Sequence, residues 1–108
     1  MRFYHNPRCS KSRQALALLE ERGCELNVGR YLETGVVEED LPLLAQLDGI
    51  VRKKDAGKAV MASLQNEEDI INLLRTNPKV LERPVLISGQ QAVIGRPPED
   101  VLSLLDEA

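Results

Sequence analysis

Tryptophan is absent from this 108-residue chain, and phenylalanine and tyrosine together supply only three residues. Leu, Val, Ile and Ala must therefore fill the core. Cysteine is nearly as scarce: Cys9 and Cys24 are too few for a disulfide scaffold. His5 is the one histidine, and no metal-ligand cluster is visible, so no metal or organic cofactor is expected. No apolar run approaches the roughly 20 residues that cross a bilayer. Met1-Arg2 leads straight into Tyr4-His5-Asn6-Pro7, without the apolar stretch of a secretory signal. A cytoplasmic protein with no membrane partner is expected. A basic excess is also lacking. The formal net charge of -3 argues against non-specific nucleic-acid binding, although it leaves room for a local basic pocket.

The composition that remains, 43% hydrophobic and 29% charged, is that of a soluble globular protein. The length suits a single domain spanning 1–108, expected as a monomer. Arg2-Phe3-Tyr4 is a short strand, ended by Pro7. Ser10 to Arg22 reads as a helix, with Leu16 and Leu19 spaced by three and Ala15 and Leu18 widening the apolar stripe. Gly23 is a natural stop. Glu25 to Tyr31 alternates loosely and predicts a second strand, and Thr34-Gly35 begins a turn.

Leu41 to Leu47 looks helical, starting near Asp40 because Pro42 is tolerated only in a first turn. Arg52-Lys53-Lys54 is a basic cluster before a weak helical stretch near Ala59 to Leu64. Glu67-Glu68-Asp69 suits a helix N-terminus, Ile70, Ile71, Leu73 and Leu74 form that helix's buried face, and Asn77-Pro78 ends it. Val85 to Ser88, a turn at Gly89-Gln90, and Gln91 to Ile94 predict a hairpin. Pro98 is placed to open a last helix with Leu102 and Leu105 facing inward. The order is βαβ, a helical insertion over approximately 36–80, then ββα. An α/β chain in this order predicts a thioredoxin-like fold with a four-stranded mixed sheet and extra helices between its halves.

The chemistry concentrates in HNPRCSKSR, His5 to Arg13. Cys9 sits between a strand end and a helix start, where backbone N–H groups are unpaired and favour an anion. Cysteines in such places titrate at roughly 3.5–7.5, against about 8.5 when free. Arg8, Lys11 and Arg13 add positive charge, and the same loop can hold an oxyanion beside the sulfur. From position alone, a lone cysteine at a helix start is more often a small packing residue than a nucleophile. His5 can serve the loop's structure, lower the Cys9 pKa or relay a proton. Ser12, one turn beyond Cys9, can reach the sulfur with its hydroxyl or simply start the helix.

HNPRCSKSR resembles the active-site loop of the glutaredoxin-linked arsenate reductase family. The resemblance continues, in order, with YLET at Tyr31 to Thr34, VRKK at Val51 to Lys54, ERPV at Glu82 to Val85 and IGRPPE at Ile94 to Glu99. It implies a single catalytic cysteine, Cys9, and an oxyanion held by Arg52, Arg83 and Arg96, while His5 and Ser12 are candidate catalytic residues from their places beside Cys9. Arg52 is the least certain match, because the segment before it is shorter than in better-known members. Pro84 matches the cis-proline that faces the active site in thioredoxin-like folds. The guanidinium fork suits a tetrahedral oxyanion.

Cys24 lies on the order of 20 Å from Cys9, across the first helix, and a disulfide needs Cα atoms within about 7 Å. Ser12 stands where a CxxC motif would place its second cysteine. The reductant therefore comes from outside, and the resemblance names glutathione as co-substrate and glutaredoxin as partner. Two alternatives remain. Spx-type regulators share the fold and bind RNA polymerase, commonly with a CxxC that is missing here. A thiol oxidoreductase of the same family acting on something other than arsenate is the other, because fold alone does not fix function.

Overall fold

The structure, a computed structural model, describes residues 1–105; the last three positions of the expected 1–108 domain lie outside the described residues. Four short strands, β1 (Arg2–Tyr4), β2 (Asn27–Gly29), β3 (Val85–Ser88) and β4 (Gln91–Ile94), form one sheet in the order β2-β1-β3-β4. β1 runs parallel to β2 and antiparallel to β3, and β3 and β4 are the antiparallel hairpin. This is the thioredoxin-like arrangement that the element order predicts.

Side-chain alternation along the strands decides what covers each face. Phe3 pairs in register with Leu86, and Tyr4 with Val85. Phe3 and Leu86 point to one face, where they pack with Ala15 and Leu19 of helix α1 (Ser10–Glu21) and with Val101. Tyr4, Val85 and Ile87 point to the other, where the residues between β2 and β3 close over them. These residues make α2 (Tyr31–Thr34), α3 (Leu41–Ala45), α4 (Lys53–Ala56), α5 (Lys58–Ser63) and α6 (Glu67–Thr76). Tyr31, Leu41, Leu44, Ile50, Leu74, Val80 and Leu81 are buried there. Complete burial of one such aliphatic side chain is worth about 1.5–3 kcal/mol.

A polar tether fixes this second layer to β1. The buried Asp40 carboxylate accepts from Arg2 Nη1 at 3.0 Å and from the Tyr4 hydroxyl. The Tyr4 oxygen in turn accepts the Val37 N–H at 3.1 Å.

Helix α1 ends as its sequence predicts. Gly23 takes φ 71°, its N–H bonds to Glu20 O at 3.0 Å, and the Cys24 N–H reaches Leu19 O at 3.2 Å. That is a Schellman motif, with Cys24 packed on the cluster that holds Leu19.

Two expectations need correction. The second strand covers Asn27–Gly29 instead of Glu25 to Tyr31, and its Val28 is 44% exposed. β2 is an edge strand with one neighbour, and Tyr31 leaves it to open α2 under the second layer. Arg52 takes the N-cap position of α4, with Lys53 and Lys54 inside that helix, and the cluster precedes α5 as expected. The terminal helix is a 3-10 helix, Pro98–Leu104. Pro98 and Val101 are its buried residues, while Leu102 and Leu105 are only half-buried against the same cluster. A three-residue repeat stacks Pro98, Val101 and Leu104 along one side, as 3-10 geometry requires.

Candidate functional site at Cys9

The register places one sheet edge at the centre of the chemistry. Tyr4 ends β1 opposite Gly29, which ends β2, and opposite Val85, which begins β3; Val85 in turn faces Ile94, which ends β4. The Cys9 loop, Tyr31, Arg83 and Arg96 all leave the sheet at that edge. A parallel strand pair delivers its C-terminal ends to one side, which is where open α/β sheets bind ligands.

The loop is a set of local turns. The Asn6 side-chain oxygen accepts the Arg8 N–H at 3.0 Å, and the Cys9 N–H donates to Asn6 O at 3.0 Å. Cys9 is the N-cap of α1, in extended conformation at φ −93°, ψ 121°. Arg13 reaches back from α1 and donates to Pro7 O at 2.9 Å. That cation therefore braces the loop.

The Cys9 thiol is half-buried, and Arg96 Nη2 lies 3.6 Å from its sulfur. Burial pushes its pKa up. The Ser12 N–H, the Arg83 guanidinium, the Lys11 N–H and the Arg96 charge together outweigh burial and leave the thiol below its ordinary value. The helix end thus acts through backbone donors, while both effective cations come from beyond residue 80. The largest contributions do not come from the Arg8, Lys11 or Arg13 side chains.

Two carboxylates arrange the arginines. Asp55 accepts from Arg83 Nη1 at 3.1 Å and from Arg52 Nη1 at 3.2 Å. Its own pKa is lowered: burial opposes ionisation, and Arg52 and Arg83 outweigh it. Glu82 lies 3.1 Å from Arg96 Nε and 3.8 Å from Arg52 Nε. Arg96 Nε also donates to Arg83 O at 2.9 Å. Arg83 and Arg96 therefore meet at the sulfur. Arg52 stands one step back, bonded to Asp55 and ion-paired with Glu82.

His5 and Ser12 form a buried pair, with Nδ1 and Oγ 2.6 Å apart. Ser12 Oγ also accepts the Asn6 N–H at 3.1 Å. The hydroxyl is thus engaged away from the sulfur, and it is the Ser12 backbone that reaches Cys9. Burial, then the Arg30 and Arg13 charges, lower the His5 pKa, so the ring is neutral at neutral pH. The Arg83–Pro84 peptide is cis, as expected for Pro84, and Arg96–Pro97 is cis as well. Gly95 lies against Pro84. A Cβ there would come 2.8 Å from Pro84 Cγ and 2.9 Å from Val101 Cγ1. Only glycine lets β4 run close enough to set Arg96 beside Arg83.

Asp55 and Glu82 were not among the sequence candidates, nor were Tyr31 and Asn6. Tyr31, Glu82 and Asn6 lie inside the motifs quoted above, but nothing in a motif says which side chain an arginine will pair with.

Fold and site together define a thioredoxin-like protein with a cysteine at a helix N-terminus, faced by arginines, a pocket fit for an anion. The family model described as ArsC family matches residues 4–104. A protein of Haemophilus influenzae named arsenate reductase is 37% identical over 95% of this chain and 97% of its own. An Escherichia coli K12 protein, YfgD, named as uncharacterized, is 40% identical over 97% and 96%. The solved structure of an arsenate reductase from Vibrio cholerae is 36% identical, covers 95% of this chain and 97% of its own, and superposes with a TM-score of 0.78. The chain belongs to the ArsC family, and its relatives place it among the oxidoreductases.

Proposed function

We propose that the protein is an arsenate reductase that works with glutathione and glutaredoxin and uses Cys9 as its nucleophile. The observation that carries this reading is the Cys9 sulfur, acidified at the start of α1 and faced by Arg83 and Arg96. The Cys9 thiolate attacks arsenic, and one protonated oxygen leaves as water, which forms a sulfur–arsenic(V) bond. Arg83 and Arg96 hold the oxyanion and neutralise charge at its oxygens. A glutathione thiolate then attacks the Cys9 sulfur. The sulfur–arsenic bonding pair stays on arsenic, which leaves as arsenite, arsenic(III), and a Cys9–glutathione disulfide remains for glutaredoxin. The two electrons come from the two thiols.

The chain offers no internal resolving thiol. The 12 residues of α1 separate Cys9 from Cys24 by about 18 Å at 1.5 Å per residue, and both cysteines are free. An outside thiol needs access. Cys9 is only half-buried, which leaves it within reach of one. The proposed reaction runs in the cytoplasm, where glutathione is kept reduced; no helix among the described residues is long and apolar enough to cross a membrane.

The deciding experiment is arsenate-dependent turnover of the purified protein with glutathione and glutaredoxin. Without glutaredoxin, intact mass after one turnover is expected to show one glutathione on Cys9 and no Cys9–Cys24 disulfide. Cys9→Ser abolishes turnover, and Cys24→Ser leaves it nearly intact. If arsenate and glutathione leave Cys9 unmodified while the protein is pulled down with RNA polymerase, the regulator reading replaces this one.

A further inference from the structure

Two polar donors beside Cys9 have nothing to bond. The Tyr31 hydroxyl and the Arg83 Nε are buried and have no hydrogen-bond partner among the described residues. Tyr31 is fully buried, at the first position of α2. Buried polar groups are nearly always satisfied, so two orphans side by side point to an acceptor that arrives from outside.

They are neighbours. Of the charges around the Tyr31 hydroxyl, that of Arg83 acts most strongly, followed by Cys9, and Arg83 feels Tyr31 in return. The placement follows from the sheet: β2 ends beside β1, so Tyr31 emerges next to the Cys9 loop, tied there by the His5 N–H on Gly29 O at 2.9 Å. The Asn6 amide faces the Tyr31 oxygen as a donor, and its own oxygen accepts the Arg8 N–H, so it offers no acceptor for the phenol proton. Burial raises the Tyr31 pKa, against the Arg83 charge, so the hydroxyl keeps its proton at neutral pH and can donate it.

We propose that Tyr31 contacts the substrate, its hydroxyl and the Arg83 Nε together donating to an oxygen of the tetrahedral oxyanion held at the Cys9 sulfur. This rests on the oxyanion-reductase reading above. The arrangement divides labour. Arg83 and Arg96 supply charge, while a neutral phenol supplies a directional bond without adding to it. It also accounts for a full-length tyrosine at a site where phenylalanine would fill the same apolar space.

The test is protection of Cys9 from alkylation by iodoacetamide, with arsenate alone as the probe and no glutathione, in wild type and Tyr31→Phe. Loss of a hydrogen bond to a charged group is expected to raise the half-protecting arsenate concentration roughly ten- to hundredfold. Thermal unfolding is followed alongside. Because the hydroxyl proton has no acceptor among the described residues, Tyr31→Phe should melt no lower than wild type. Equal protection of both proteins overturns the role of Tyr31 and leaves the reductase reading standing. A variant that melts well below wild type overturns it too, since the hydroxyl would then hold the fold. Wild type left unprotected by arsenate overturns the oxyanion reading itself, and this inference with it.

Discussion

Replacing Arg96 by glutamine removes a charge that lies close to the Cys9 sulfur, with Nη2 at 3.6 Å. Two unit charges at that distance interact by about 1 kcal/mol in water and about 5 kcal/mol at an effective dielectric of roughly 20. The Arg96 side chain is 29% exposed, so solvent screens the pair and the lower part of the range applies. A loss of about 1–2 kcal/mol corresponds to a rise of about one unit in the Cys9 pKa. The rate of iodoacetamide alkylation against pH reads that midpoint directly. Arg96→Lys separates charge from geometry. A lysine can keep a cation near the sulfur, but one terminal nitrogen cannot also reach Arg83 O and Glu82 as Arg96 Nε does. Its midpoint should move less than that of the glutamine variant, while kcat/KM falls roughly ten- to hundredfold, the worth of a charge-assisted bond. A fall confined to KM would mean that Arg96 binds substrate without stabilising the transition state. If the alkylation midpoint is unmoved in both variants, the Arg96 charge does not set the thiol's acidity, and the reasoning that links Cys9 to Arg96 fails.

His5 makes folding depend on pH. Its folded pKa lies below the ordinary 6.5, because burial and then the charges of Arg30 and Arg13 disfavour the imidazolium. The unfolded chain therefore takes up the proton first, and the stability due to neutral His5 is complete above about 6.5 and lost as pH falls through the lower folded value. Melting temperature measured from pH 7 down to pH 5 should fall less in His5→Gln than in wild type, and parallel curves would remove this assignment. Gly95→Ala should destabilise by about 1–3 kcal/mol, since the new Cβ meets buried Pro84 and Val101 at under 3 Å. Thermal melting reads this, and an unchanged midpoint would mean that the strand end moves freely.

Much of the architecture could be read from local pattern because its causes are local. Gly23 ends α1 since a left-handed residue lets the last carbonyls of the helix be paired, and Gly89 turns the hairpin for a similar conformational reason. The period-two alternation of Phe3 and Tyr4, and of Val85, Leu86 and Ile87, sets which face each layer must cover. β2 was overestimated because an edge strand carries a weak apolar signal: its ends are decided by what packs over them, and Tyr31 belongs to the layer above.

The sequence by itself determined the position of Cys9 between a strand and a helix, since strand, proline and helix signals are written in neighbouring residues. It also marked Arg83 and Arg96 through their prolines and motifs. Only the tertiary structure decided which groups act on the sulfur. Arg96, 87 residues from Cys9, comes within 3.6 Å, while the nearby Arg13 is spent on Pro7 O. The same holds for Arg52, held one step back by Asp55 and Glu82, for Ser12, which offers its backbone instead of its hydroxyl, and for Tyr31, left buried without a partner. The physical reason is common to all of them. A charge or a hydrogen bond is a short-range, oriented contact, and which residues come into range depends on how distant strand ends meet at one edge of the sheet.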